Sequence, residues 1–314
     1  MKKIIYIVAK TLHLVLPNYI LMNFLAFIQT IPILRKLVLF FDPNLIRKNV
    51  NFDMPEKLIF LRNSNWNLKV NSSDHIGFRS YLKNEPFEMA IYKLADKIHP
   101  SGRRIIIDIG ANIGSASIPI CKKYGYELIA IEASKCNIPL LAENVLNNEL
   151  KARILPYALV DEVREDYITI FINKGNTGAN SLLEKWNPSL STNYAKRLEY
   201  VPTKTLDQII KEEKIDVGSV LITKIDVEGM EEAVLSGAIE FLAVNDAPII
   251  FEYRLDAVRK YLDKDMQRIL DIFKSFDYLL YVLTDDGSVA NFDPGLSYEN
   301  IIAIKQGHEL EYLM

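Results

Sequence analysis

The apolar positions of this chain fall into short continuous runs that alternate with helically spaced residues. In the run at residues 105–109 every residue but Asp108 is isoleucine, and Gly110 and Gly114 follow, which predicts a buried strand entering a tight turn. The apolar spacing over residues 115–124 predicts a helix. Such a unit presents free backbone N–H groups and the positive end of a helix dipole at the carboxyl edge of a sheet, which suits an anionic ligand group. The functional site is therefore expected at this edge.

The same alternation continues to the end of the chain. Further strands are predicted at residues 58–61, 68–70, 128–131, 153–159, 167–172, 198–201, 220–227, 249–251, 278–283 and 301–305. Further helices are predicted at residues 88–98, 135–147, 205–214, 230–242 and 256–276. This order favours an α/β fold with a doubly wound, Rossmann-like parallel sheet.

Three segments follow from this pattern: an apolar basic helical segment (residues 1–50), a small β-hairpin with its linker (51–86) and a main α/β domain (87–314). Within the main domain the rhythm changes at about residues 165–202, which predicts an insertion that covers the site. We call these residues the insertion.

The first 41 residues contain five lysines and arginines and no acidic residue, unlike the rest of the chain. They lack the cleavage site of a signal peptide, and their longest clean apolar stretch is shorter than the ~20 residues of a membrane span. A helical hairpin lying on the cytoplasmic face of an anionic membrane fits this composition. The alternatives are helices that pack on the main domain and a true span.

Charge and cysteine content narrow the class of protein. The net charge of -3 gives no basic surface of the kind that binds nucleic acid. The two cysteines, both in predicted helical segments, indicate a reducing compartment. The expected location is the cytoplasm, with peripheral membrane contact through residues 1–41.

Two acidic residues sharpen the interpretation of the glycine turn, which nicotinamide, flavin and S-adenosylmethionine (SAM) enzymes all share. A carboxylate at Asp108, two residues before Gly110, can meet the ammonium of a methionine group, whereas it would repel a pyrophosphate. Glu132, at the end of the second strand, is placed to accept hydrogen bonds from ribose hydroxyls. A turn-fixing role for Asp108 and a surface position for Glu132 are the structural alternatives.

Residues 224–231 read Lys-Ile-Asp-Val-Glu-Gly-Met-Glu. On a strand Lys224, Asp226 and Glu228 share one face, and three ionisable groups there are costly unless they are paired or used. Asp226 or Glu228 can therefore take a proton from a substrate hydroxyl. Alternatively, Lys224 and Asp226 form an internal ion pair, and Glu228 stabilises the N-terminus of the next helix.

Glu252 ends the following strand and joins Asp226 and Glu228 at the same edge of the sheet. These three carboxylates are a weak candidate for a magnesium site, whereas no histidine supports a zinc site. His75 and Arg254 are candidates for substrate contact, although an ordinary surface position explains each of them as well.

Taken together, residues 107–114, the sequence Ile-Glu-Ala at 131–133 and residues 224–231 resemble the FkbM family of SAM-dependent methyltransferases. The likeness runs from about residue 87 to residue 305. It implies a class I methyltransferase fold with seven strands, the last one antiparallel, and methyl transfer to the oxygen of a sugar, glycan or polyketide. The predicted membrane contact adds a lipid-linked acceptor.

The resemblance also implies roles for individual residues. The expected SAM-binding residues are Asp108, Gly110, Ala111, Asn112, Gly114, Glu132, Ala133 and Ala158. The expected catalytic residues are Asp226 as the base, Glu228 as the second choice, Lys224 and Glu252. The loop at Asn180 and Ser181 is expected to help close the acceptor site, and His75 is a candidate for contact with the substrate.

Two other classes of function remain open at this point. One is an oxidoreductase that binds a nicotinamide or flavin cofactor on the same sheet topology, against which Asp108 argues. The other is a membrane-bound protein that keeps the fold for binding alone.

Overall fold

The computed structural model describes residues 58–63, 66–71, 74, 76–77, 80, 85, 87–173, 176–186 and 197–308. The predicted membrane-facing helices of residues 1–50 and the candidate residue His75 lie outside these ranges. Among the described residues, no helix is both long and apolar enough to cross a membrane.

The strands are β1 Leu58–Asn63, β2 Trp66–Asn71, β3 Ile105–Ile109, β4 Glu127–Ile131, β5 Ala152–Leu155, β6 Ala158–Leu159, β7 Tyr167–Ile172, β8 Arg197–Lys204, β9 Val220–Ile225, β10 Ile249–Tyr253, β11 Tyr278–Leu283, β12 Val289–Asn291 and β13 Tyr298–Lys305. The helices are α1 Met89–Ile98, α2 Ser117–Tyr124, α3 Ile138–Asn147, α4 Leu206–Glu212, α5 Glu231–Ser236, α6 Ile239–Val244, α7 Leu255–Leu262 and α8 Gln267–Ser275.

Within the described chain, eight strands form the main sheet in the order β12-β11-β13-β10-β9-β3-β4-β5. The parallel strands, in their order across the sheet, are β10, β9, β3, β4 and β5. Strand β13 is antiparallel to both of its neighbours. The class I methyltransferase fold predicted from the sequence is therefore confirmed, including the antiparallel last strand. The short β12 adds an eighth strand, because the turn at Gly287 (φ +73°) returns the chain alongside β11.

At the centre of this sheet, in β3 and β9, both faces are buried, as the isoleucine-rich strands predict. On β3, Ile107 and Ile109 face one hydrophobic cluster and Ile106 faces the other. Because side chains alternate between the faces, Asp108 lies on the same side of the sheet as Ile106. Its register partner on β9 is Lys224. A carboxylate and an ammonium group therefore lie on the face of the sheet that Ile106 also faces.

Two predicted helices are wrong in extent. The helix expected over residues 230–242 is divided into α5 and α6 at Gly237, where a Cβ atom would lie 2.2 Å from the carbonyl oxygen of Val160. The helix expected over residues 256–276 is divided into α7 and α8, since Asp263 takes a left-handed conformation (φ 53°) and ends α7. Apolar periodicity continues across both breaks and therefore did not reveal them.

The strand predicted at residues 153–159 is also divided. Its first half is β5 of the main sheet, and its second half, β6, pairs with β8 in a separate sheet of order β6-β8-β7. Pro156 lies between the two halves, and its missing N–H group cannot continue a ladder. Two strands of this small sheet, β7 and β8, belong to the insertion.

The hairpin of β1 and β2 is held to the main domain by two asparagines one helical turn apart at the end of α3. Asn144 accepts a hydrogen bond from the Lys69 N–H group (2.6 Å) and donates to the carbonyl oxygens of Lys69 (3.0 Å) and Ile113 (2.9 Å). Asn148 accepts from the Asn67 N–H group (2.8 Å) and donates to the Asn67 carbonyl. The two amides therefore pair with one edge of β2 as a neighbouring strand would.

Replacing Asn144 by alanine is expected to lower the free energy of unfolding by about 1–3 kcal/mol, because buried backbone groups then lose their hydrogen-bond partner. Urea denaturation of the full chain measures the change. Asn147→Ala is the matched control, since Asn147 is exposed on the same helix. Equal stability of the two variants would contradict the bridging role of Asn144.

Candidate active site

The site is built on two loops that leave the neighbouring parallel strands β3 and β9. The glycine loop (residues 110–114) follows β3, and the acid loop (residues 226–230) follows β9. The Asp226 N–H group donates to the Ile109 carbonyl oxygen (3.0 Å). At Gly110 the backbone has φ +76°, and a Cβ atom would lie 1.8 Å from the carbonyl oxygen of Asp226. Glycine is therefore required for the two loops to touch.

Four N–H groups of the glycine loop have partners inside the protein, and that of Gly114 donates to the Ala111 carbonyl oxygen within the loop (2.8 Å). Those of Gly110 and Ala111 donate to the Ile131 carbonyl oxygen, and that of Asn112 donates to Glu132 Oε2 (2.7 Å). The expectation of free N–H groups at this turn is wrong for these four, because the end of β4 lies close enough to accept from three of them and the loop itself accepts from the fourth.

Glu132 lies beside the glycine loop, and both of its carboxylate oxygens accept hydrogen bonds from main-chain N–H groups. Its Oε1 accepts a hydrogen bond from the Ser134 N–H group (2.8 Å) in addition to the bond that Oε2 receives. Burial raises the pKa of Glu132 to about 7, although the N–H groups of Ser134 and Asn112 act in the opposite direction. Asn137 Nδ2 also donates to Glu132 Oε1 (3.3 Å). A carboxylate has about four acceptor positions, so one position remains for a ribose hydroxyl.

The acid loop takes its shape from Glu231, the first residue of α5. The Glu231 carboxylate accepts from the N–H groups of Val227 (3.1 Å) and Gly229 (3.1 Å). Between them Glu228 has a left-handed backbone (φ 52°). The sequence analysis included Glu231 in the segment 224–231 but gave it no role. An acidic residue in the first turn of a helix, after a glycine, was the available signal for this contact.

Lys224 lies at the centre of a buried charge cluster. Its Nζ is 3.1 Å from Asp226 Oδ2, 3.6 Å from Asp108 Oδ1 and 4.0 Å from Glu88 Oε1. Burial alone would lower the pKa of Lys224, but the charges of Asp226, Glu88 and Asp108 outweigh burial and raise it. Lys224 is therefore held as a cation that links Asp108 of β3 to Asp226 of the acid loop.

Three carboxylates lie at the ends of β9 and β10. Burial, and then the charge of Asp226, raise the pKa of Glu228 to about 8. The same two causes raise the pKa of Glu252 well above its ordinary value. Within the described ranges, no group of three or more His, Cys, Asp or Glu side chains is arranged to hold a metal ion. The weak candidate set of Asp226, Glu228 and Glu252 is therefore not arranged as a metal site.

The insertion packs directly on the acid loop. Ser181 Oγ donates to the Glu228 carbonyl oxygen (2.7 Å), and Trp186 Nε1 donates to Glu228 Oε2 (2.9 Å). The sequence analysis did not single out Trp186. No local pattern could have indicated it, since its partner lies 42 residues further along the chain.

Two cavities meet at the acid loop. The first, which we call the glycine-loop cavity, has a volume of about 80 Å³. The second, which we call the carboxylate cavity, has a volume of about 500 Å³ and is lined by Glu88, Lys224, Glu252, Arg254, Asp285 and Glu299, among others. Asp226 and Glu228 line both cavities.

The structure divides the predicted site residues among three places. The glycine-loop cavity is lined by Gly110, Asn112, Glu132, Ala133, Ala158, Asn180 and Ser181. The carboxylate cavity is lined by Lys224, Glu252 and Arg254. Asp108, Ala111 and Gly114 line neither cavity. Asp108 is fully buried beneath the loop, and a Cβ atom at Gly114 would lie 2.4 Å from Ile118 Cδ1. Asn180 and Ser181 thus lie beside the predicted SAM residues, although they were predicted at the acceptor.

The raised pKa values give a prediction for stability. Glu132, Glu228 and Glu231 have pKa values of about 7, 8 and 7, against an ordinary value of 4.5, and burial is the largest cause for each. The folded protein then binds more protons than the unfolded chain between these values, so its stability falls as the pH rises from about 4.5 to about 8. Urea unfolding at pH 5.5 and pH 8.5 should give the lower free energy at pH 8.5. Glu228→Gln should reduce the difference, and an unchanged difference would contradict this account of Glu228.

Comparison with known structures gives matches of low identity. The chain is similar to the methyltransferase FkbM from Methylobacillus flagellatus KT, with 15% identity over 72% of this chain and a TM-score of 0.39, and the match spans 52% of that protein. An O-methyltransferase from Bacillus cereus in complex with SAH matches at 14% identity over 68% of this chain and 80% of its own, with a TM-score of 0.37. Precorrin-6y C5,15-methyltransferase from Geobacter metallireducens GS-15 matches at 12% identity over 69% of this chain and 87% of its own, with a TM-score of 0.36.

A search of curated proteins gave no significant match. The sequence profile of the methyltransferase FkbM domain matches residues 108–280. This range is more than half of the chain and contains the glycine loop, the acid loop and the insertion between them. The resemblance noted in the sequence is therefore confirmed: the chain belongs to the FkbM family of SAM-dependent methyltransferases.

Proposed function

We propose that this protein transfers the methyl group of SAM to a hydroxyl oxygen of a sugar, glycan or lipid-linked acceptor. The observation that carries the proposal is the position of Asp226 and Glu228, which line both cavities. A cofactor in the glycine-loop cavity and an acceptor in the carboxylate cavity would then meet beside two carboxylates. SAM supplies an electrophilic methyl group, and the protein has to hold the acceptor oxygen in line with it and remove its proton.

The residues around the glycine-loop cavity fit SAM in chemistry. Glu132 keeps an acceptor position for a ribose hydroxyl, and the Oδ1 atom of the largely buried Asn112 has no hydrogen-bond partner within the described part of the chain. Asp108 fits less directly, since it reaches the site through its ion pair with Lys224. A volume of about 80 Å³ is below that of usual small-molecule sites, so the insertion residues on its wall have to move when the cofactor enters.

Glu228 is the better proton acceptor of the two shared carboxylates. Its pKa of about 8 is close to neutral pH, where general bases are most effective. Asp226 accepts a hydrogen bond from the charged ammonium group of Lys224, whereas the donor to Glu228 is the uncharged indole of Trp186. We therefore propose Glu228 as the base and Asp226 as the partner that fixes Lys224, which reverses the order expected from the sequence.

The charge of the carboxylate cavity bears on the acceptor. Among the described residues that line it, seven are acidic and three are basic. A phosphate or carboxylate group next to the reacting hydroxyl would be repelled at this short range. We therefore expect an uncharged part of the acceptor to occupy the cavity, with any phosphate of a lipid-linked acceptor lying outside it.

Calorimetric titration with SAM, followed by incubation with labelled SAM and fractionated cell glycans and lipids, tests the proposal. Binding of SAM and labelling of a hydroxyl in one fraction is the expected result. Tight binding of NADH with no response to SAM would instead indicate an oxidoreductase. SAM binding without transfer to any fraction, together with full cellular function of Asp226→Asn and Glu228→Gln, would indicate a binding protein.

We also propose that residues 1–41 contact an anionic membrane, an inference that rests on their sequence alone. The full chain is expected to float with phosphatidylserine-containing vesicles, and a variant lacking these residues is expected to sediment. Equal behaviour of the two proteins would remove this part of the proposal.

A further inference from the structure

We propose that Trp186 is a positioning residue for Glu228, so that the insertion contributes directly to the orientation of the catalytic base. This inference rests on the proposed function of Glu228. The indole N–H group of Trp186 points at the Glu228 carboxylate, with 2.9 Å between Nε1 and Oε2. Glu228 in turn lines both cavities, so the direction of its carboxylate decides which atoms it can reach.

The position of the indole ring is fixed by packing. Trp186 is only 7% exposed and belongs to the main hydrophobic cluster. Its ring lies edge-on to Tyr261, with 6.4 Å between ring centroids. It also lies so close to Gly229 that a Cβ atom there would be 2.8 Å from Trp186 Cδ2. A donor held in this way has one direction and does not adapt to its acceptor.

The insertion holds Glu228 at two points. Trp186 binds the side chain, and Ser181 Oγ binds the main-chain carbonyl oxygen of the same residue. The left-handed backbone of Glu228 is unfavourable for a residue with a side chain and needs such support from its surroundings. Two contacts on one strained residue distinguish this arrangement from ordinary packing between a loop and a domain.

The charged groups that face Glu228 do not replace this contact. Asp226, Glu231 and Glu252 are acidic and repel its carboxylate, and Arg254 is the basic group that attracts it. The Arg254 guanidinium is itself engaged by Glu252 and Asp256. The indole N–H group is uncharged but strictly a donor, so it stabilises the carboxylate over the protonated acid and lowers the pKa of Glu228 against the effect of burial.

Side-chain NMR of the full chain labelled with ¹⁵N-tryptophan tests the contact without any assay of activity. The sequence contains two tryptophans, Trp66 and Trp186, so two indole signals are expected. One of them should shift between pH 6 and pH 10 as Glu228 ionises, and this shift should disappear in Glu228→Gln but persist in the control Glu240→Gln. If neither signal titrates, or if the titration survives in Glu228→Gln, the proposal is wrong.

The effect on catalysis is tested with Trp186→Phe, which keeps an aromatic ring and removes the N–H group. With labelled SAM and the glycan or lipid fraction that accepts methyl groups, the midpoint of the rise of kcat with pH should move up by about one pH unit. Tyr261→Phe, which leaves the indole untouched, should show the wild-type midpoint.

A lower kcat with an unchanged midpoint would assign Trp186 a merely structural role and overturn the proposal. Failure of the full chain to bind SAM would instead refute the proposed function, and the NMR titration would still decide whether Trp186 and Glu228 are in contact. The two inferences can therefore fail separately.

Discussion

Replacing Glu228 by glutamine is expected to lower kcat for methyl transfer by about 100- to 10,000-fold, which is the usual contribution of a general base. Glutamine keeps the size of the side chain and an oxygen that can accept the Trp186 N–H group, but it cannot take a proton. Rates are measured with labelled SAM and an accepting fraction above pH 8, where the wild-type carboxylate is ionised. Calorimetry in parallel should show that SAM still binds.

The matched control is Glu240→Gln, because Glu240 is an exposed glutamate on α6 that lines neither cavity. It should leave kcat unchanged. If Asp226→Asn abolishes transfer while Glu228→Gln does not, the order of the two carboxylates returns to the one first expected from the sequence. A normal rate in both variants would exclude a carboxylate base at this junction.

Replacing Gly110 by alanine is expected to destabilise the protein by more than about 4 kcal/mol, a range reached by few single substitutions. The added methyl group would lie 1.8 Å from the Asp226 carbonyl oxygen, and a backbone atom cannot rotate out of the way. The two loops would have to separate, so binding of SAM should be lost as well. Urea denaturation and calorimetry measure the two effects.

Gly125→Ala separates the clash from the cost of the backbone conformation. Gly125 has a similar φ of +69°, but a Cβ atom there would meet no atom within 4 Å. It should therefore lose only the ~1–2 kcal/mol of an alanine in a left-handed conformation. If the two variants lose equal stability, the contact between the loops is not what requires glycine at position 110.

The parts of the fold that were predictable from the sequence are those in which a local pattern and a buried position coincide. The isoleucines of β3 and the alternation in β9 predicted two strands of a parallel sheet, and both are observed. Breaks at Gly237 and Asp263 were not predictable, because they depend on a close approach to Val160 and on a single left-handed residue. Apolar periodicity does not register either event.

The residues of the candidate site also divide into those that a local pattern predicted and those that it did not. Glu132, Asp226 and Glu228 were found because acidic residues at strand ends follow from spacing, and the topology brings such ends together. The pairing of Lys224 with Asp226 was one of the alternatives and is observed. The contact of Glu228 with Trp186 was not found, because the position of the insertion relative to the acid loop has no signature in the sequence. Asp108, which the sequence analysis placed at the cofactor, lies beneath the glycine loop and beside Lys224.

The amide pair of Asn144 and Asn148 has a consequence for association between copies of this chain. An unpaired edge of a β-strand is a template for strands from other molecules. By occupying the N–H and carbonyl groups of Asn67 and Lys69, the two side chains close that edge of β2 with groups that cannot propagate a sheet. A variant that loses them should therefore tend to aggregate at concentrations at which the native protein stays dispersed, beyond what its lower stability alone would cause.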